Sequence, residues 1–119
     1  MKLSDYKKEE KESEGDIQNS ICEYLETRGR GFFRLNNIPA FSKNPNGSIR
    51  MRALPKYTPR GLPDIIVIAG GTFIGLEVKR SNPKTYQSPD QKLFEALVKK
   101  HNGKYFVVRS ISDVQAIGL

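Results

Sequence analysis

The stretch GLPDIIVIAGGTFIGLEVKR, residues 61–80, decides how this chain folds. Two β-rich runs, DIIVIA and TFIGLEVK, flank Gly70-Gly71, and a two-glycine link between such runs is a strong hairpin signal. With the turn there, Ala69 pairs with Thr72, Val67 with Ile74 and Ile65 with Leu76 on one face. Ile68 pairs with Phe73 and Ile66 with Gly75 on the other, because strand side chains alternate. The same register sets Asp64 opposite Glu77, where directly opposed Cβ atoms lie about 4.5–5.5 Å apart and like charges repel. Lys79, two residues beyond Glu77, projects from the same face.

Both faces of this hairpin are apolar in the middle, so the pair is expected to be largely buried. Two carboxylates at the end of a buried sheet need a compensating cation. Lys79 can neutralise one of them as a small ion-pair cluster. Such clusters are often no more stable than the apolar residues that could replace them. A bound divalent metal is the better answer. Asp64 and Glu77 offer hard oxygen ligands, and the chain has one Cys and one His, so Mg²⁺ or Mn²⁺ is favoured over Zn²⁺.

Outward from the hairpin the elements follow in order. Ser13 with Asp16 three residues on has capping-box form, and Gly29 can close the helix it opens. Ile17, Ile21 and Leu25, with Tyr24 beside them, form its apolar stripe. Glu14 falls on that inward stripe, yet a first-turn acid can equally serve the positive end of its own helix. Glu23 and Glu26 face solvent. GFFRLNN reads as a short strand. SPDQ supplies Ser88 as N-cap, Pro89 at the first helical position and Gln91 at the third, starting a helix with Leu93, Phe94, Leu97 and Val98 inward and Gly103 as its stop. KYFVVRS is another strand, and Ser112 is placed as the cap of a last helical turn. Phe32, Phe33, Phe73 and Phe106 read as core, Cys22 as a small filler, and His101 as a cation near a helix C-terminus. Residues 37–63, rich in proline and poor in periodicity, read as a long functional loop.

The chain has 119 residues and a formal charge of +7, enough for one domain and indicative of an acidic partner. Residues 1–12 are expected to be a polar, flexible tail, and 13–119 a single domain. From Thr27 to Pro63 there is no carboxylate but there are eight basic residues, Arg28, Arg30, Arg34, Lys43, Arg50, Arg52, Lys56 and Arg60. A one-sign run of that length reads as an electrostatic footprint for nucleic acid. No apolar run is long enough to span a bilayer or act as a signal peptide, and a lone cysteine excludes an intrachain disulfide. A cytoplasmic protein is expected.

GLPD and LEVK together resemble the PD-(D/E)XK nuclease signature, with Pro63, Asp64, Glu77 and Lys79 in its places. More closely, SEGDIQNSICEYL, FRLNN, RGLPDIIVI, GLEVKR, SPDQKLFEAL and GKYFVVRSISD are similar to the VRR-NUC (virus-type replication-repair nuclease) domain, over roughly residues 13 to 115. The resemblance implies an α/β fold with an αβββαβ core, a central mixed sheet flanked by helices, in a stand-alone member of the sort found in bacteriophages. It implies metal ligation by Glu14, Asp64, Glu77 and the Val78 carbonyl. It implies catalytic parts for Asp64, Glu77, Lys79 and Gln91, although Gln91 is also placed to be the capping partner of Ser88. Arg60, Arg80 and Lys84 flank the motif as phosphate contacts, with Arg50, Arg52 and Lys56 on the long loop next.

The expected activity is Mg²⁺- or Mn²⁺-dependent, structure-selective cleavage of DNA by a homodimer, with a Holliday junction as one candidate substrate. A flap or nicking nuclease is the runner-up among enzymes. A non-catalytic basic DNA-binding module is the alternative of another class, and the intact acid pair argues against it.

Overall fold

The computed structural model describes residues 13–35, 41–51, 55–80 and 86–119, with only the backbone described at 41, 42, 50 and 51. The expected tail at 1–12 lies outside the described residues, as do Arg52 and Lys84. The elements are helix α1 (Glu14–Thr27), strands β1 (Gly31–Arg34), β2 (Phe41–Lys43), β3 (Ile49–Met51), β4 (Ile65–Ala69) and β5 (Thr72–Val78), helix α2 (Pro89–Lys100), strand β6 (Lys104–Val108) and helix α3 (Ile111–Ala116). Strands β1-β4-β5-β6 form one mixed sheet in that order, antiparallel except for the parallel pair β5–β6. The fold is α/β, a four-stranded sheet with helices against it.

The β4–β5 hairpin turns on Gly70 and Gly71, both left-handed at φ 57° and 77°, as a tight turn matched to strand twist requires. All five expected cross-strand pairs form, from Ala69 with Thr72 to Ile65 with Leu76. Register then sorts the sheet into two faces. One carries Ile65, Val67, Ile74, Leu76, Val78 and Val108, against which α1 lays Ile17, Ile21 and Leu25 and α3 lays Val114. The other carries Ile66, Ile68, Phe73, Gly75, Glu77 and, from β6, Tyr105, and α2 packs on its β5–β6 half.

Several expectations are corrected. The second face is only half covered: Ile68 is 53% and Phe33 48% exposed, because α2 lies over β5 and β6 rather than β1 and β4. Of the four apolar residues expected inward in α2, Phe94 and Val98 turn to the sheet, with the Phe94 ring centroid 6.5 Å from that of Phe73, while Leu93 is 71% and Leu97 50% exposed. The run at 37–63 contains a hairpin, β2–β3, closed by a Ser48 backbone carbonyl that accepts from the Asn44 N–H at 2.7 Å. Three-residue strands are too short to show alternation, although Asn46-Gly47 between them is a turn signal. The last helix is capped by Ser110, not Ser112. The Asp113 N–H donates to the Ser110 hydroxyl at 3.2 Å, and the Asp113 carboxylate accepts from the Arg109 N–H at 2.8 Å.

Part of the basic run is structural. Arg28 and Arg30 donate through Nε to the Leu119 carbonyl at 3.3 and 3.2 Å, and Arg34 donates to Asn19 Oδ1 at 2.6 Å. These guanidinium groups close polar contacts within the protein. Cys22 packs partly buried against the core, where burial pushes its thiol up despite Arg34, as befits a filler. His101 is the C-cap residue of α2.

Candidate active site

Asp64 and Glu77 meet on the half-covered face, at the end of the hairpin away from its turn. Asp64 stands one residue before β4. Its own N–H donates to the Leu76 carbonyl at 3.1 Å, and its carbonyl accepts from the Leu35 N–H at 2.8 Å, so it continues the sheet on both sides. Its Oδ2 accepts from the Val78 N–H at 2.8 Å, which ties the side chain to the end of β5. It is therefore the amide of Val78 that the structure engages here.

Glu77 is 2% exposed, and a carboxyl group that deep requires partners for its oxygens. Gln91 Nε2 donates to Oε1 at 2.6 Å and the Tyr105 hydroxyl donates to Oε2 at 3.2 Å. Burial first, then the neighbouring charge of Asp64 and a hydrogen bond between the two carboxyl groups, push the Glu77 carboxyl up to about 8. Lys79 and Tyr105 pull the other way and do not prevail. Lys79 Nζ stands 3.7 Å from Glu77 Oε1, within ion-pair range but too long for a hydrogen bond. While Glu77 keeps its proton, that contact is a cation beside a neutral acid. It becomes an ion pair when the proton leaves.

Gln91 holds both positions expected of it. Its Oε1 accepts from the Ser88 N–H at 2.9 Å as the return half of the capping box, and its Nε2 faces Glu77. The start of α2 is brought to the site by Gly61, at φ 73°. A Cβ there would lie 2.4 Å from the backbone carbon of Asp90, so only glycine lets this segment press against the helix.

Tyr105 was not singled out from the sequence. It sits in β6 opposite Gly75, where a Cβ would come within 3.0 Å of the tyrosine ring and 3.1 Å of Pro63. The missing side chain at 75 makes room for the ring, whose hydroxyl then reaches Glu77. A polar-tipped aromatic in a strand register beside a glycine was the available signal. Burial and the Glu77 charge push the Tyr105 hydroxyl well above its usual range, so it stays a donor.

The remaining expected residues lie on other elements or beside them. Glu14 begins α1, whose apolar stripe packs on the opposite face of the sheet, and among the described residues no group of three His, Cys, Asp or Glu is placed to hold a metal ion. Lys56, Arg60 and Arg80 are exposed, and the Arg80 carbonyl accepts from the Arg109 guanidinium. The backbone of Arg50 lies in β3 opposite Ser42.

The chain matches no protein-family model, no curated protein and no solved structure. Among the described residues no helix is long and apolar enough to cross a membrane.

Proposed function

We infer that this protein is a Mg²⁺- or Mn²⁺-dependent endonuclease that hydrolyses phosphodiester bonds in branched or otherwise structured DNA, with a PD-(D/E)XK-type site and the VRR-NUC resemblance set out above. The observation that carries this is the meeting of a fully buried Glu77 with a half-buried Asp64 at the end of the hairpin, with Lys79 Nζ 3.7 Å from Glu77. A purely structural role would be served as well by apolar residues.

The donor set fits a hard divalent cation. The charge of Asp64 helps to keep the Glu77 carboxyl protonated, and a cation held by both would take the place of that proton. Asp64 and Glu77 would hold the ion, with Glu14 and the Val78 carbonyl as the further ligands that the resemblance implies. When bound, such an ion polarises the scissile phosphate and lowers the pKa of a water. Gln91 and Tyr105 fix the Glu77 carboxyl from two elements, with one hydrogen bond to each of its oxygens. Lys79 Nζ orients the attacking water and offsets charge developing on the phosphoryl oxygens. The exposed Lys56, Arg60 and Arg80 contact phosphates and set position without reading sequence. Two copies, gripping two arms of a branched substrate, complete the proposal.

The test is cleavage of labelled four-way junction, flap, duplex and single strand with Mg²⁺, Mn²⁺ or EDTA. Asp64→Ala is expected to abolish cleavage while DNA binding persists, and Lys79→Met to abolish turnover with metal binding largely intact. Retained cleavage by Asp64→Ala, or binding without cleavage of any substrate in either metal, would refute the assignment.

A further inference from the structure

The segment between the β2–β3 hairpin and the site holds a residue that neither the core nor the acid pair uses. Tyr57 is 90% exposed and has a left-handed backbone, φ 69°. It is the third residue of a turn closed by the Thr58 N–H donating to the Pro55 carbonyl at 3.1 Å. A positive φ at that position suits glycine or asparagine, and a bulky side chain is strained there. The ring returns almost no burial for that strain, so folding gives no reason for it.

Beside the ring stands a cation. Lys56 Nζ stands 5.0 Å from its centroid, in cation–π range, and Arg60 is exposed three residues on. No carboxylate occurs in the sequence from Thr27 to Pro63. An aromatic face presented to solvent in a one-sign basic segment is the combination that binds single-stranded nucleic acid, with cations on the backbone and rings against bases. In intact duplex the base faces are occupied by their neighbours, so a protein ring finds a free face where bases are unpaired. Tyr57 lies seven residues before Asp64, a chain reach of at most about 25 Å, and Gly61 fastens the intervening segment to the start of α2.

We propose that Tyr57 is a stacking platform for an unpaired DNA base, so that the substrate carries single-stranded nucleotides beside the cleaved bond, as in a flap or an opened branch point. This rests on the DNA-cleaving function inferred above and narrows its substrate.

The test is equilibrium binding in EDTA of a single-stranded thymidine oligonucleotide and of a blunt duplex of equal length. Tyr57→Gly relieves the backbone strain and so folds at least as well as the parent. It is expected to weaken single-strand binding by about 5- to 150-fold, the value of one stacked base, with duplex affinity unchanged within about twofold. Tyr57→Trp should retain single-strand binding and Tyr57→Leu should lose it. The salt slope should stay that of the parent, since no charge is removed. Unchanged single-strand binding by Tyr57→Gly overturns the proposal, and so does an equal loss on both probes. A parent protein that binds neither probe removes the DNA function and the platform together. A selective loss in a protein that cleaves nothing leaves the platform standing and removes only the nuclease.

Discussion

Raising the pH should destabilise the metal-free protein through Glu77, and by an amount the site sets. In the unfolded chain this carboxyl titrates near 4.5; in the fold it keeps its proton up to about 8. Between those values the unfolded state releases a proton that the folded state retains, so unfolding becomes easier as pH rises. The stability contributed by the protonated group is fully present below about 4.5 and lost by about 8. At about 1.4 kcal/mol per pH unit, the interval from 4.5 to about 8 amounts to about 5 kcal/mol at most. That is a large share of the roughly 5–15 kcal/mol that holds a domain together. Glu77→Gln keeps the shape and the neutral charge of the protonated acid, so it should lack this slope. The assay is urea unfolding in EDTA from about pH 5 to about pH 9, for parent and variant, where their difference isolates Glu77 from all other titrations. Mg²⁺ or Mn²⁺ should restore the parent most strongly at the alkaline end, where no proton must be displaced, and leave Glu77→Gln less affected. A pH-independent difference would refute the carboxyl pairing. A difference of opposite sign would mean that Lys79, rather than burial and Asp64, governs the Glu77 carboxyl.

Other perturbations separate the parts of the site from the scaffold. Tyr105→Phe removes one hydroxyl from a buried carboxyl and should cost about 1 kcal/mol of stability, while Mn²⁺ affinity read by calorimetry falls about 10- to 100-fold. Gly61→Ala must lift its segment off α2 and should cost about 3 kcal/mol or more by thermal or chemical unfolding, with loss of cleavage because Gln91 is displaced from Glu77. Leu93→Lys should change stability by less than about 0.5 kcal/mol, whereas Val98→Ala, on the face turned to the sheet, should cost about 2 kcal/mol.

The legible parts of this protein are those where a local signal and the global packing agree. The Gly70-Gly71 turn determines register, and register carries Asp64 beside Glu77 without any knowledge of the rest of the chain. Ser13 and Ser88 announce their helices through capping pairs three residues on. What sequence periodicity does not reveal is how far a neighbouring element extends. Leu93 and Leu97 satisfy helical spacing, and Ile68 and Phe33 satisfy strand alternation, yet α2 covers only half the sheet and leaves all four exposed. Tyr105 and Gln91 illustrate the same limit from the other side. Gln91 belongs to a motif and was found, whereas Tyr105 reaches Glu77 only because β6 is parallel to β5 in a register that sets it opposite Gly75. Likewise a count of basic residues does not show that Arg28, Arg30 and Arg34 each hydrogen-bond an acceptor within the protein.

The double engagement of Gln91 has one more consequence. A side-chain amide has two ends that differ by a single atom type, and nothing in its shape says which should meet an acid. Here the Ser88 N–H needs an acceptor, so the oxygen is spoken for at the helix start and the NH₂ must turn to Glu77. The first turn of α2 thereby acts as a polarity key for a carboxyl group on another element. Fraying of that turn would release the key and Glu77 together, so hydrogen exchange at the Gln91 and Lys92 amides should report on the readiness of a site neither amide touches.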